Sequence, residues 1–389
     1  MQPGEDPHKQ AHLEGLRGVA ALVVVAHHYL CTFFPAAIFG GGARYQFENW
    51  LYNTPLQVLV AGNFAVCVFF ALSGYVLSYR FIATKDVAFL RSGAIKRYFR
   101  LAPPIFVAVM LSYGLYRLGG IHNAAAAKIT GSDWLSVMWP HAAGSLPEAL
   151  WQGTIGQLLG KANPDIFDKP LWTMNVEFFG SLAVFAFLAA FGTAKKRWML
   201  YIVAAVFCWN SYYLAFIFGM ALCDALAIWP KQRFNPITLG LAGAAGLLLG
   251  STGMTGPVWD FFSPLRMPFA PNADVFALPH TLGAGLVLAV VLYSGVLKRL
   301  LATRPMVYLG KISFSLYLVH MVIIGSVGCG VFVWLSSRVS YGWAAVGAAG
   351  AVVLVLGMVV PVFARAVDQP AVRLANRIAR HWRPPNSAT

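Results

Sequence analysis

Arg17 and His28 are the first residues in this chain whose types and spacing could do chemistry. They stand eleven residues apart in LEGLRGVAALVVVAHHYL, a run that is otherwise apolar. At 100° per residue, eleven steps close three turns with about 20° to spare, so both side chains fall on one helix face. The rise between them is about 16 Å, roughly half of a bilayer's ~30 Å hydrocarbon core. Ionisable groups at such depths are costly, and they face cavities where they carry function. Histidine is the natural general base for activating a hydroxyl.

Other polar groups interrupt apolar runs in the same way: Ser73 in ALSGY, Glu177 in NVEFF, and Tyr317 and His320 in FSLYLVH. Counted at ~1.5 Å per residue from the basic end of each run, His28 lies about 16 Å in, Ser73 about 10 Å, Tyr317 about 9 Å and His320 about 13 Å. Glu177 sits just inside the opposite end of its run. Each alone reads as a packing residue or a satisfied interhelical hydrogen bond. Together, at overlapping depths, they point to a polar cavity in which a carboxylate could orient a histidine and stabilise its imidazolium. At one mouth, IKRYFRLAPP places Lys96, Arg97 and Arg100 beside Arg17. Arg97 and Arg100 are spaced i, i+3 directly ahead of an apolar run, hence on one face, and guanidinium forks suit phosphates.

The elements that must position these groups are membrane helices. The chain has 389 residues, of which 58% are hydrophobic and only 11% charged, and its mean hydropathy is +0.64. A soluble protein of this length needs far more polar surface, so the expected fold is an all-α polytopic membrane protein. Ten apolar segments are predicted at about 16–34, 58–80, 101–118, 172–192, 198–211, 212–229, 236–251, 279–297, 312–335 and 342–364. With the N-terminus cytoplasmic, 22 of the 29 Lys and Arg fall on the cytoplasmic side, as the positive-inside rule demands. Both termini are therefore expected in the cytoplasm. The first run leads into bulky YLCTFF, so it reads as a span rather than a signal peptide.

The net charge of +15 is spread over alternate loops, which argues against nucleic acid. Cys31, Cys67, Cys208, Cys223 and Cys329 are scattered without a CxxC pair and read as small core residues, with neither a disulfide framework nor a metal site. Two outer loops are long. Residues 119–171 carry Trp134, Trp139, Trp151 and LPEALWQGTIGQLLGK; residues 252–278 carry Trp259, Phe261 and Phe262 beside Asp260 and Arg266. Such loops are lids or binding loops, here suited to a sugar-like ligand, or else aromatic anchors at the interface. The transmembrane domain is expected over 1–370, with a basic cytoplasmic tail over 371–389 lying on anionic lipid at about 1 kcal/mol per cation.

The opening helix LEGLRGVAALVVVAHH resembles that of the acyltransferase 3 family of integral membrane O-acyltransferases, whose pattern has an Arg and a His separated by ten residues; here that selects Arg17 and His28, not His27. FFALSGYVLS (69–78), KRYFRLAPP (96–104), PLWTMNVEFF (170–179), ISFSLYLVH (312–320) and VDQP (367–370) are similar to further family segments, in family order from the first span to the last. Glu14 stands where the family commonly has Asp, Phe178 replaces a second Glu, Phe314 a Tyr and Val319 a Trp.

The resemblance implies ten helices and an acyl-CoA donor, usually acetyl-CoA, on the cytoplasmic side. It also implies a hydroxyl acceptor on a carbohydrate or glycoconjugate and importance for Arg17 and His28. The expected site is then His28 as general base or transient acyl carrier, with Glu177, Tyr317 and His320 orienting the hydroxyl or stabilising the oxyanion. Arg17, Arg97 and Arg100 would hold CoA phosphates, and Ser73, Trp172 and Ser315 would line the pocket. Acyl-CoA is expected as co-substrate, with no bound cofactor. The resemblance places the protein in a bacterial inner membrane. Two rival readings remain at this point. One is a proton-coupled secondary transporter of an acylated or carbohydrate substrate, which suits ten spans and a buried His and Glu set. The other is a non-enzymatic sensor or scaffold with structural histidines.

Overall fold

A computed structural model describes residues 10–139, 144–160, 167–229, 232–251, 253, 257–265 and 276–381. The described elements are helices, with no β-strand among them. In chain order the principal ones are α1 (Ala11–Phe33), α2 (Gly62–Thr84), α3 (Val87–Arg117), α4 (Trp172–Phe191), α5 (Arg197–Phe207), α6 (Tyr213–Ile228), α7 (Pro236–Gly250), α8 (Ala277–Tyr293), α9 (Gly295–Leu301), α10 (Arg304–Ile323), α11 (Cys329–Ser336), α12 (Tyr341–Phe363) and α13 (Gln369–His381). Among the described residues, six stretches are long and apolar enough to cross a membrane, or seven if α8 and α9 count as one. Helices α5, α6 and α7 are apolar but only 11, 16 and 15 residues long, short of the ~20 residues a bilayer core asks of a helix. All three coincide with predicted segments to within one residue at their starts.

Several helices start earlier than the predicted segments, α10 at Arg304 among them, and two differences bear on the site. The third segment begins at Val87 rather than 101, because the Asp86 side chain accepts the Ala88 N–H at 2.9 Å and caps a helix that carries Pro103 and Pro104 inside it. Arg97 and Arg100 therefore project from the body of α3. The eighth segment is not one helix. Ser294 is extended (φ −87°, ψ 113°) and its Oγ accepts the Leu297 N–H at 3.3 Å, starting α9 at 94° to α8.

Small residues set the helix crossings. A Cβ on Gly310 would lie 2.0 Å from the Glu14 carbonyl oxygen, one on Gly15 1.9 Å from that of Leu301, and one on Gly18 2.7 Å from the Gly310 nitrogen. Backbone is therefore in contact with backbone where α1 meets α9 and α10, as small residues permit in apolar bundles. His28 lies ten residues beyond Gly18 and His320 ten residues beyond Gly310, so the two helices run parallel and bring these histidines to one level.

The segment after α3 is structured. Short helices span Asn123–Thr130, Asp133–Ser136 and Leu146–Trp151. Ser132 Oγ donates to the Cys31 carbonyl at 2.6 Å, and the His122 N–H donates to Gly325 at 2.9 Å. Trp139 is buried, its Nε1–H donating to Ser112 Oγ at 2.9 Å, and only Trp151 of the three tryptophans is exposed. The described parts of this segment form a cap packed on the C-terminal ends of α1, α3 and α10. In the second long loop, Trp259 packs on Phe276. Arg266 lies outside the described residues, as do Lys9, Lys161, Lys231 and Arg383 of the charge count.

Candidate active site

The site is built at the α1–α10 pair. His28 Nδ1 is 2.8 Å from His320 Nε2. His320 Nδ1 lies 2.7 Å from the Tyr317 carbonyl oxygen and 3.2 Å from that of Leu316. A carbonyl oxygen only accepts, so His320 Nδ1 carries the proton and its Nε2 presents a lone pair. His28 must then donate from Nδ1, which leaves His28 Nε2 as an unprotonated base. This is the orienting logic of a catalytic triad with a neutral imidazole in the place of the carboxylate. His320 is fully buried, whereas His28 retains partial exposure.

Aromatic rings fix the His28 plane. Trp134, from the cap over α1, stacks on it at 5.5 Å with 18° between planes, and His27 meets it edge-on at 5.2 Å. His27 is itself tied away, its Nδ1 2.8 Å from the Val60 carbonyl, so it is His28, the histidine selected by the opening pattern, that meets His320. Tyr317 faces the start of α4: its hydroxyl donates to the Pro170 carbonyl at 2.8 Å and lies 2.7 Å from Thr173 Oγ1. It serves the dyad through its backbone carbonyl.

A second cluster lies toward the Arg17 end of α1. Glu177 Oε1 accepts from Ser73 Oγ at 2.9 Å and from Ser181 Oγ at 3.4 Å, and pairs with Arg97 Nη2 at 3.2 Å. Arg17 pairs with Glu14 at 2.9 Å. Arg100 reaches Asp368 at 3.8 Å and lies 5.9 Å from the Phe314 ring. Arg17 is within electrostatic range of both Arg97 and Arg100. Three guanidinium groups from α1 and α3 thus converge, each matched by one carboxylate.

The structure therefore sorts the sequence-derived residues into two groups. His28 and His320 meet directly, with Tyr317 behind them. Arg17, Arg97, Arg100, Ser73 and Glu177 gather at the other level, and the carboxylate is engaged by Arg97 rather than by an imidazole. Trp172 packs its ring 5.1 Å from Tyr212, whose hydroxyl accepts from Asn63 Nδ2 at 2.6 Å. Ser315 is buried on α10 with no hydrogen-bond partner for its hydroxyl. Sequence reasoning did not single out Lys169. Its Nζ lies 5.8 Å from the centre of the Trp134 ring, and it is within electrostatic range of His28. The signal was its position as the cation immediately before the Pro170–Trp172 stretch. Beyond the dyad, at the C-terminal end of α1, a cleft of about 200 Å³ is lined by Phe33, Arg44, Glu48, Thr130 and Tyr341 among others.

A family model described as an acyltransferase domain matches residues 10–363. The chain is 25% identical over 372 residues to O-acetyltransferase PaAT-1 of Phomopsis amygdali, covering 82% of this chain and 73% of that protein. It is 24% identical over 408 residues to Acyltransferase clz18 of Cochliobolus lunatus, covering 85% and 86%. A third relative, Acyltransferase R4 of a Phoma species, is 24% identical over 408 residues, covering 84% and 85%. These relatives are fungal and give no support to a bacterial inner membrane. No solved structure matches the chain.

Proposed function

The chain belongs to the family defined by that acyltransferase domain, and from this premise we propose that it is a membrane O-acyltransferase moving an acetyl group from cytoplasmic acetyl-CoA to a hydroxyl of a carbohydrate or glycoconjugate. The observation that carries the proposal is the His28–His320 hydrogen bond at 2.8 Å, which sets a base-competent tautomer. The acceptor hydroxyl gives its proton to His28 Nε2 as its oxygen attacks the thioester carbon. The C–S bond then breaks, and the CoA thiolate takes the proton back from His28. In between, the imidazolium donates from Nδ1 into His320 Nε2, so its charge is partly dispersed without moving heavy atoms.

Arg17, Arg97 and Arg100 are assigned to the CoA phosphates, with their partners Glu14, Glu177 and Asp368 holding the forks in place. The rise of about 16 Å from Arg17 to His28 is of the order of an extended pantetheine arm. Glu177 then acts on the donor side, through Arg97. The same reading takes α5, α6 and α7 as further crossings, ten in all, with both termini cytoplasmic, as the distribution of Lys and Arg favours. The O-acetyltransferase named among the relatives supports acetyl as the transferred group.

The test is release of free CoA from acetyl-CoA by purified protein, wild type against His28→Ala. Release that depends on His28 is the expected result. Equal release from both proteins, or none from either together with no thermal stabilisation by CoA, would overturn the proposal.

A further inference from the structure

The cleft beyond the dyad carries side chains that the acyl-CoA site and the base leave unused. Its volume is about 200 Å³, and Phe33, Arg44, Glu48, Thr130 and Tyr341 line it. Phe33 is five residues past His28 on α1, about 7.5 Å of rise, whereas Arg17 lies about 16 Å the other way. The cleft and the guanidinium cluster therefore flank the base from opposite ends. One stretch of the cap joins the cleft to the base. Thr130 lines the cleft, Ser132 Oγ donates to the Cys31 carbonyl at 2.6 Å, and Trp134 stacks on His28.

Glu48 is 2% exposed and is the third residue of the short helix Gln46–Tyr52. Its Oε1 accepts the Arg44 N–H at 3.0 Å and the Tyr45 N–H at 2.9 Å. Capping needs that one oxygen, and a glutamine at this position supplies it equally. Among the described residues, Oε2 accepts no hydrogen bond. A buried carboxylate oxygen without a donor is costly, so the acid calls for a donor from elsewhere, and the space it lines is the cleft. Arg44 supplies the complementary group. Its guanidinium lies 3.9 Å from the centre of the Tyr341 ring, and its Nη2 donates to the Ile129 carbonyl at 3.3 Å. Tyr341 is held in turn, its hydroxyl donating to the Phe33 carbonyl. A guanidinium has five N–H donors, so this fork is fixed in place with donors to spare.

One carboxylate and one guanidinium in a single cleft offset each other, so neither an anion nor a cation is favoured. A hydroxyl both donates and accepts. It satisfies Glu48 with its hydrogen and Arg44 with its lone pairs. The Phe33 and Tyr341 rings offer apolar surface to ring carbons. The cleft is smaller than the ~300–1,000 Å³ typical of pockets for drug-sized ligands, which suits a single ring. We propose that this cleft is the acceptor subsite, in which Glu48 and Arg44 hold a neutral hexopyranose ring with its reacting hydroxyl directed past Trp134 to His28; this deepens the acyl-transfer reading above and rests on it. Donor and acceptor then reach the base from opposite ends of α1. The subsite forms no covalent bond, and it selects the ring that is presented to the base.

The experiment uses the full-length protein in a detergent without a sugar headgroup, with saturating acetyl-CoA and methyl glucoside, galactoside or mannoside as the probe acceptor. It reads free CoA and the acetylated glycoside. At least one of the three should be acetylated. For that glycoside, Glu48→Gln should raise KM by about tenfold or more, the loss of one hydrogen bond to a charged group, with the KM for acetyl-CoA within about twofold. Glutamine still caps the helix, so a merely structural Glu48 predicts no kinetic change. Arg44→Met should raise the same KM to a similar extent. A wild-type KM for the glycoside in either variant overturns the proposal, as does a loss confined to kcat. A lower KM for methyl glucuronoside than for methyl glucoside also overturns it, since that makes the cleft an anion site. No acetylated glycoside from a wild type whose acetyl-CoA hydrolysis requires His28 overturns the proposal and leaves the acyl-transfer reading standing. CoA release that is independent of His28 overturns both.

Discussion

Replacing His320 with leucine removes the acceptor for the His28 Nδ1 proton while filling the same buried space. His320 is fully buried and His28 only partly exposed. A buried donor left without its acceptor costs about 1–3 kcal/mol, or about 5- to 150-fold in rate at 1.36 kcal/mol per factor of ten. A second effect adds to this. Without His320 Nε2, the tautomer with the proton on His28 Nε2 gains weight, and that form has no lone pair toward the acceptor. A mis-set tautomer in a Ser-His-Asp triad costs about 10⁴ in kcat, an upper bound here because the lost partner is neutral. We expect His320→Leu to lower kcat by about 10²–10³ with little change in the KM for acetyl-CoA. His320→Gln is the discriminating variant, because glutamine can place an accepting oxygen where Nε2 stood; it should retain at least about tenfold more activity than His320→Leu, near one hydrogen bond's worth. The assay is CoA release under saturating acetyl-CoA, with melting temperature as the folding control. A His320→Leu protein within about threefold of wild-type kcat, or a loss lying wholly in KM, would refute the dyad.

Glu177→Gln should keep the Ser73 hydrogen bond but release Arg97 from its ion pair; the expected change is in the KM for acetyl-CoA, and a fall in kcat alone would return the carboxylate to the dyad. Gly310→Ala should cost about 1–3 kcal/mol through overpacking, because its Cβ would lie 2.0 Å from the Glu14 carbonyl oxygen. Gly350→Ala, with nothing within 4 Å of the added atom, is the matched control, and equal melting temperatures for the two would discount the crossing. Asp168 is buried with a raised pKa, so the folded state holds its proton where the unfolded chain has released it. Stability is unaffected below the unfolded value of about 3.9 and falls as pH rises from there through the folded value. Asp168→Asn should therefore raise the melting temperature more at pH 8 than at pH 4, and a constant difference would remove this role.

Much of the site could be read from periodicity, because the helix fixes which residues share a face. The Arg17–His28 stripe and the ISFSLYLVH segment led to helices that meet. Which carboxylate or ring touches which could not be read, since this depends on helix rotation and relative height. Glu177 looked available to a histidine, yet one turn of α3 brings Arg97 to it first. Trp134 could be placed only as a loop aromatic, because its stacking on His28 depends on how the cap folds back over α1, which a Ser132 to Cys31 hydrogen bond decides. The long start of α3 was hidden by the prolines within it, which ordinarily mark a boundary. The bend between α8 and α9 was hidden for the opposite reason, since Ser294 carries no breaker signal.

The equal spacing from crossing to histidine on α1 and α10 makes the pair a lever. Each arm runs ten residues from the glycine contact, about 15 Å. Opening the angle between the helices by about 5° about that pivot would part the tips by about 1.3 Å, given the same rise per residue. That stretches a 2.8 Å hydrogen bond beyond hydrogen-bonding range. The fulcrum is formed by Gly18 and Gly310, beside the Arg17–Glu14 pair. Whatever pulls Arg17 away from Glu14 at that end acts directly on the fulcrum, so occupancy at one end of α1 and basicity at the other are mechanically linked through a single stiff rod.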